Sequence, residues 1–196
     1  MSESFRSFIA FDIGNSLVLD RLEIVQKLLL RTGADMRIVE PQNIHITIRF
    51  LGNITQRILE KVTETMQKTT FSPFNIQIKG LGTFPNLRNS RIIWAGITEG
   101  ADQLKNIFLQ LEPRLRALGF SPDLKGFNPH LTIARVRSGR NKLQLADFIR
   151  KNLNHEFGTT KATCLLLKKS VLTPRGPIYS KLSEFCPKEQ LKRFYP

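Results

Sequence analysis

Two of the three histidines in this chain stand in the same short pattern, His-x-Thr-x. The first pattern is HITI at residues 45–48, and the second is HLTI at residues 130–133. An imidazole can accept or donate a proton near neutral pH, and a threonine hydroxyl can hydrogen-bond an anion. Two such pairs facing each other would provide a base, an acid and two anion contacts. That set of groups suits an in-line displacement at phosphorus.

The spacing predicts that each histidine shares one face of a β-strand with its threonine. Successive side chains on a strand point to opposite faces, so His45 and Thr47 lie side by side, as do His130 and Thr132. Two alternatives stay open: the histidines are unrelated and half-buried, or they bind a metal ion. A metal site would require further His, Cys or paired carboxylates, which the neighbouring sequence does not offer. We therefore expect no metal and no cofactor.

Two arginines are further candidates for contacts to an anionic substrate. Arg49 alternates in phase with the first His-Thr pair, so it is predicted to line the same groove. For Arg135, strict alternation places Ala134 on the histidine face and the arginine behind it. Only a strand end or a bulge after Ile133 would turn Arg135 inward. A surface arginine without a role is the alternative.

The order of predicted elements occurs twice along the chain. In each copy, an Asn and a Pro precede the histidine, and the two histidines are 85 residues apart, as their numbers show. We therefore predict an α+β fold with two pseudo-symmetric lobes. Each lobe would be a mainly antiparallel sheet with helices on the outside, and the active-site groove would lie between the lobes. Since no linker separates the lobes, residues 1–196 are expected to form a single domain whose lobes do not fold independently. The predicted strands are 5–12, from 45, 74–84, 91–98, from 130, 160–173 and 177–185, and the predicted helices are 16–31, 55–68, 101–118 and 141–153.

The composition indicates a polyanionic partner. Thirty Lys and Arg residues against 16 Asp and Glu give a formal net charge of +14. Such a field attracts nucleic acid, although a basic surface that serves only solubility is the alternative. No run approaches the roughly 18 apolar residues that span a bilayer, and the N-terminus does not resemble a signal peptide. We expect a cytoplasmic monomer that does not interact with a membrane.

The two cysteines, Cys164 and Cys186, form neither a CxxC metal motif nor a disulfide scaffold. The turn TPRG at residues 173–176 would bring them close together across a hairpin. A disulfide is nevertheless not expected in a reducing cytoplasm. The sequence therefore predicts two free thiols.

Taken with their surroundings, the two motifs resemble those of the two-histidine (2H) phosphoesterase superfamily. Within it, the chain is similar to the bacterial and archaeal RNA 2′,3′-cyclic phosphodiesterases, also called 2′-5′ RNA ligases. The resemblance covers nearly the whole chain in the family's order. The matching stretches are FIAFDI, PQNIHITIRFLGNI, FNIQIKGLGTFPN, RIIWAG, LGFSPD, FNPHLTIARV and LLLKKSVLTPRGPIY.

The resemblance implies a role for each candidate residue. His45 would be the general acid and His130 the general base, although the near symmetry of the halves does not orient the pair by itself. Thr47 and Thr132 would hydrogen-bond the phosphate, with help from Arg135. The implied reaction is metal-independent hydrolysis of RNA 2′,3′-cyclic phosphate ends to 2′-phosphomonoesters. tRNA fragments are one candidate for the RNA that carries such ends. Two alternatives are an ATP-independent 2′-5′ RNA ligase that acts on tRNA halves and a non-catalytic RNA-binding module.

Overall fold

The computed structural model describes residues 4–124, 126–174 and 176–187, which form one large sheet with helices packed on it. The strands are β1 (Ser4–Asp12), β2 (Met36–Ile38), β3 (His45–Thr55), β4 (Phe74–Phe84), β5 (Ile92–Ile97), β6 (His130–Val136), β7 (Glu156–Ala162), β8 (Leu165–Thr173) and β9 (Gly176–Phe185). The α-helices are α1 (Ser16–Arg31), α2 (Gln56–Gln67), α3 (Ala101–Ala117) and α4 (Lys142–Lys151). No helix among the described residues is long and apolar enough to cross a membrane.

The sheet consists of two similar halves that meet at its centre. Its strand order is β7-β4-β5-β6-β3-β1-β8-β9, and β2 pairs with β6 beside this path. We call β3, β1, β8 and β9 the first lobe, and β6, β5, β4 and β7 the second lobe. The lobes join where Ile46 of β3 pairs with Leu131 of β6, and every pairing described is antiparallel. The predicted α+β class with two antiparallel halves is confirmed.

The helices cross between the lobes. In α1, apolar residues at helical spacing are buried, among them Leu22, Val25 and Leu29, and the Asn15 side chain caps the helix start by accepting a hydrogen bond from the Leu17 amide. This helix follows β1 of the first lobe but packs on β6 and β7 of the second. Conversely, α3 follows β5 of the second lobe and packs on β3 of the first. This exchange supports the proposal that the lobes fold as one unit.

Two predicted features differ from the structure near the C-terminal hairpin. The strand predicted over residues 160–173 is two strands in different lobes: β7 at the edge of the second lobe, and β8 between β1 and β9 in the first. The prediction of two free thiols is wrong, because Cys164 and Cys186 form a disulfide. The β8–β9 register pairs Leu165 with Phe185, so the cysteines face each other one residue further out, with their Cα atoms 4.2 Å apart. The prediction was wrong because it gave more weight to an assumed reducing cytoplasm than to the hairpin, which brings the two cysteines close together.

Candidate active site

The two His-x-Thr motifs meet on one face of the sheet, at the junction of the lobes. Ile46 and Leu131, the pair that joins β3 to β6, are both fully buried on the helix side. Because side chains alternate along a strand, their neighbours point to the opposite face. Those neighbours are His45, Thr47, His130 and Thr132. The antiparallel direction of the strands places each histidine on the side of the other lobe's threonine.

Each imidazole is held by its own backbone in the same way. The Nδ1 atom of His45 donates to the carbonyl oxygen of Asn43 at 2.8 Å, and Nδ1 of His130 donates to that of Asn128 at 2.7 Å. A carbonyl oxygen can only accept, so this contact places the hydrogen of the neutral ring on Nδ1. In both histidines, Nε2 is therefore the nitrogen that exchanges protons.

The environment of His45 favours its neutral form. Its ring stacks on Phe8 with centroids 4.8 Å apart and meets the edge of Tyr179 at 5.1 Å. Burial lowers the pKa of His45 from 6.5 to about 4, and the Lys168 ammonium contributes to the decrease. Lys168 is itself buried and forms a 2.6 Å ion pair with Asp12, which stands opposite His45 on β1.

His130 lies in a similar aromatic setting in the second lobe. Its ring meets Phe84 edge-on with centroids 5.0 Å apart, and Trp94 lies 6.4 Å away. Burial lowers the pKa of His130 too, and the positive charge of Arg135 adds to the effect. Both imidazoles are thus neutral at pH 7 in the free groove. A bound phosphate would oppose these shifts, because its negative charge favours the imidazolium form.

A β-bulge turns Arg135 toward the histidines. In the β5–β6 pairing, Thr132 and Ala134 stand opposite successive residues of β5, so Ile133 is an extra residue. The extra residue shifts the alternation by one and places Arg135 on the same face as Thr132. Its charge lowers the pKa of both histidines. This is the bulge that the sequence required for Arg135 to reach the groove.

A matching bulge removes Arg49 from the groove. In the β1–β3 pairing, Ile48 is the extra residue, and Arg49 consequently turns to the helix side. There it is 8% exposed, and its Nε donates to Glu112 of α3 at 2.7 Å. Its other two nitrogens donate to the carbonyl oxygens of Phe50 and Ser121. Contrary to the sequence-based expectation, Arg49 does not line the groove, and we do not propose it as a substrate contact.

The two bulges lie at equivalent positions of the two lobes, but the side chains that follow them differ. Ile48 and Ile133 are 85 residues apart, the same spacing as that of the two histidines. The residue equivalent to Arg135 is therefore Phe50, which is 55% exposed on the groove face. The positive charge beside the histidines comes from Arg135 in the second lobe and from the paired Lys168 in the first.

Sequence reasoning missed a buried glutamine that supports the second bulge. Gln26 of α1 is 1% exposed, and its Nε2 donates to the carbonyl oxygen of Ile133 at 2.8 Å and to that of Val39 at 2.7 Å. It therefore ties the bulge residue to the segment that follows β2. The available signal was a polar residue in the apolar phase of a helix, next to Val25 and in line with Leu22 and Leu29.

Within residues 4–124, 126–174 and 176–187, no group of three or more His, Cys, Asp or Glu side chains is placed to hold a metal ion.

Comparison with known proteins identifies the family. A family model described as the AKAP7 2'5' RNA ligase-like domain matches residues 5–185. The chain belongs to this family. An RNA 2',3'-cyclic phosphodiesterase of Archaeoglobus fulgidus is 37% identical over 180 residues, covering 92% of this chain and 99% of the relative. One of Aeropyrum pernix is 36% identical over 164 residues, covering 84% and 93%.

Solved structures of this ligase-like fold agree with the sheet described above. Escherichia coli LigT complexed with 3'-AMP superposes with a TM-score of 0.79 at 18% identity, covering 95% of this chain and 100% of LigT. A protein of Thermus thermophilus, TT0787, superposes with a TM-score of 0.75 at 24% identity, covering 92% and 97%. The predicted membership of the 2H phosphoesterase superfamily is confirmed, and the chain is an enzyme of this group.

Proposed function

We propose that this enzyme hydrolyses terminal 2′,3′-cyclic phosphates of RNA to 2′-phosphomonoesters without a metal ion. The observation that carries the proposal is the pair of imidazoles on one face of the sheet. Each is anchored through Nδ1, leaves Nε2 for proton transfer and stands beside a threonine. The names of the curated relatives support the same substrate.

In the proposed reaction, Nε2 of His130 removes a proton from water as the water oxygen attacks phosphorus. The bond between phosphorus and the 3′ oxygen breaks on the opposite side, and Nε2 of His45 gives its proton to that oxygen. The hydroxyls of Thr47 and Thr132 and the guanidinium of Arg135 stabilise the charge that develops on the other phosphoryl oxygens. The product retains its phosphate on the 2′ oxygen.

The lowered pKa of His45 fits the role of acid once substrate is bound. An imidazolium with a low pKa transfers its proton readily to a departing alkoxide. The substrate phosphate supplies the negative charge that keeps His45 protonated in the complex, and the carboxylate of Asp12 acts in the same direction. The assignment of acid and base itself rests on the family resemblance.

Three finer points belong to this proposal. The net charge of +14 favours RNA over small cyclic nucleotides as the natural substrate, and tRNA fragments are one proposed source of cyclic ends. The monomeric state and the cytoplasmic location are proposed from the sequence. The Cys164–Cys186 disulfide bears on the location, because disulfides persist mainly in oxidising compartments and in the cells of hyperthermophiles.

The decisive experiment is incubation of an RNA oligonucleotide bearing a 2′,3′-cyclic phosphate with the enzyme in EDTA, followed by identification of the product isomer. We expect a 2′-phosphate at an unchanged rate relative to a metal-supplemented reaction. A 3′-phosphate would mean that the ring binds the other way round. An absence of turnover in EDTA that metal restores would contradict the metal-independent mechanism, and binding without any turnover would indicate an RNA-binding module.

The name of the matching family model favours ligation as a second candidate activity. The same groups could run it without ATP, with a 5′-hydroxyl in place of water as the attacking group. An oligonucleotide with a free 5′-hydroxyl, added to the same incubation, would then yield a 2′-5′-linked product. Hydrolysis should dominate, because water is in large excess.

A further inference from the structure

A second arginine stands beside Arg135 on the groove face. Arg37 of β2 is the direct antiparallel partner of Arg135 on β6. Directly opposite residues in an antiparallel pair share a face of the sheet, with their backbones roughly 5 Å apart. The bulge that turns Arg135 toward the histidines therefore also brings Arg37 next to a groove residue.

The Arg37 side chain extends from its strand to the first lobe. Its guanidinium lies against Gly176, where β9 begins: a Cβ atom on Gly176 would be 3.0 Å from Cζ of Arg37. Gly176 has a φ of 127°, a conformation that favours glycine, and the absence of a side chain leaves room for the guanidinium. Asn43 also reaches this hairpin, donating to the carbonyl oxygen of Pro177 at 3.2 Å. Arg37 thus spans one end of the groove.

The two guanidiniums form an unpaired cationic site. Among the described residues, neither Arg37 nor Arg135 has a carboxylate within ion-pair distance, whereas the nearby Lys168 is paired with Asp12. Like charges directly opposite each other on a sheet are destabilising. The fold nevertheless holds β6 and the residue that follows β2 together through the two hydrogen bonds of Gln26. Such an arrangement becomes favourable when anions bind it, because each guanidinium can donate two parallel hydrogen bonds to a phosphate.

We propose that Arg37 binds the phosphodiester that precedes the terminal ribose of the RNA, while Arg135 contacts the cyclic phosphate. This inference rests on the proposed function. Arg135 is the nearer of the two to the reacting group, since its charge acts on both histidines. Arg37 stands on the neighbouring strand β2, which pairs with β6 on the side facing the first lobe, at the end of the groove, where the preceding phosphate of a bound strand can reach it. Arg37 is therefore a specificity residue that favours oligonucleotides over cyclic mononucleotides.

The test compares Arg37→Gln with the wild-type enzyme on a cyclic mononucleotide and on a trinucleotide ending in a 2′,3′-cyclic phosphate. For the trinucleotide, we expect KM to rise about tenfold, as for one lost charged hydrogen-bonding contact. Its log–log dependence on salt should become shallower by roughly 0.7, the value for one neutralised phosphate in a single strand. KM for the mononucleotide should stay within about twofold of wild type. The matched control is Arg57→Gln, which removes an exposed arginine of α2.

A modified substrate tests the same contact without depending on the folding of the variant. A trinucleotide with a neutral methylphosphonate at the linkage before the terminal ribose should raise KM of the wild-type enzyme about tenfold, and KM of the charge-retaining Arg37→Lys variant should respond in the same direction. Arg37→Gln should not distinguish the modified from the natural trinucleotide.

The inference is overturned if wild-type enzyme does not distinguish the two trinucleotides, or if Arg37→Gln changes KM equally for the mononucleotide and the trinucleotide. It is also overturned if Arg37→Gln behaves like Arg57→Gln. In all three cases, the proposed function is still supported if the wild-type enzyme hydrolyses both substrates. Failure of the wild type to hydrolyse either substrate would instead contradict the proposed function.

Discussion

Removal of the buried imidazole at position 45 should change how the stability of the fold depends on pH. His45→Asn replaces the ring with a neutral amide that does not titrate. In the folded protein, the pKa of His45 is lowered from 6.5 to about 4. In the unfolded chain it returns to about 6.5. The folded state therefore binds fewer protons than the unfolded state between these two values, and acid favours unfolding.

The sign and size of the effect follow from that difference. The contribution of His45 to the free energy of unfolding is fully present above pH 6.5 and is lost as the pH falls from 6.5 toward 4. Each pKa unit corresponds to about 1.36 kcal/mol, so between pH 7 and pH 4 the wild-type protein should lose about 3 kcal/mol more stability than His45→Asn. His130, whose pKa is lowered by the same cause, should act in the same direction.

The assay is urea unfolding at pH 7, 5.5 and 4, followed through the fluorescence of Trp94, the single tryptophan. The control is His155→Asn, which replaces an exposed histidine outside the groove. We expect the free energies of unfolding of wild type and His155→Asn to decrease in parallel, and that of His45→Asn to decrease less. If all three proteins respond equally to pH, His45 is not held neutral by burial, and our account of the groove's electrostatics is wrong.

Three further predictions concern the reaction, the buried ion pair and the disulfide. The pH profile of kcat/KM should be a bell with its maximum below pH 6.5, because it reports the lowered pKa values of both histidines in the free enzyme. The maximum of the kcat profile, which reports the substrate complex, should lie at higher pH. A kcat/KM maximum above pH 7 would contradict this prediction. Glu112→Ala should lower the free energy of unfolding by about 3 kcal/mol in urea denaturation, since it leaves Arg49 buried without its partner, and a change under about 1 kcal/mol would refute the structural role of the pair. Thiol titration of the denatured, unreduced protein should detect neither Cys164 nor Cys186, and two reactive thiols would contradict the disulfide.

The repeated His-x-Thr pattern made the centre of the fold predictable. Alternation along a strand is a local rule, so it correctly placed each histidine and its threonine on one face and the intervening apolar residues on the other. Helix α1 was likewise predictable from the period of its apolar residues and from Gly33 beyond its end.

Alternation failed where the strands bulge. A bulge depends on how two strands pair, which one strand's sequence does not reveal. Ile48 and Ile133 are apolar residues like Ile46 and Leu131 two positions before them, yet each shifts the phase of the residues after it. As a result, Arg49 turned to the helix side and Arg135 to the groove. The 85-residue offset would have shown that Phe50, not Arg49, corresponds to Arg135.

Contacts between residues that are far apart in the chain could not be predicted from the sequence either. Lys168 reaches the groove because β8 pairs with β1, and Gln26 supports β6 because α1 crosses to the other lobe. Neither neighbourhood follows from local patterns. The short strand β2, which carries Arg37, has too few residues to show a period.

The central claim is that two histidines alone carry out the proton transfers. Its most direct test is the kcat of His45→Ala and of His130→Ala on an RNA oligonucleotide ending in a 2′,3′-cyclic phosphate, measured in EDTA, with His155→Ala as the matched control. Each groove variant should lose roughly 10² to 10⁴ in kcat, the usual effect of removing a general acid or base, while the control keeps the wild-type rate. A near-native kcat for either His45→Ala or His130→Ala would contradict the two-histidine mechanism.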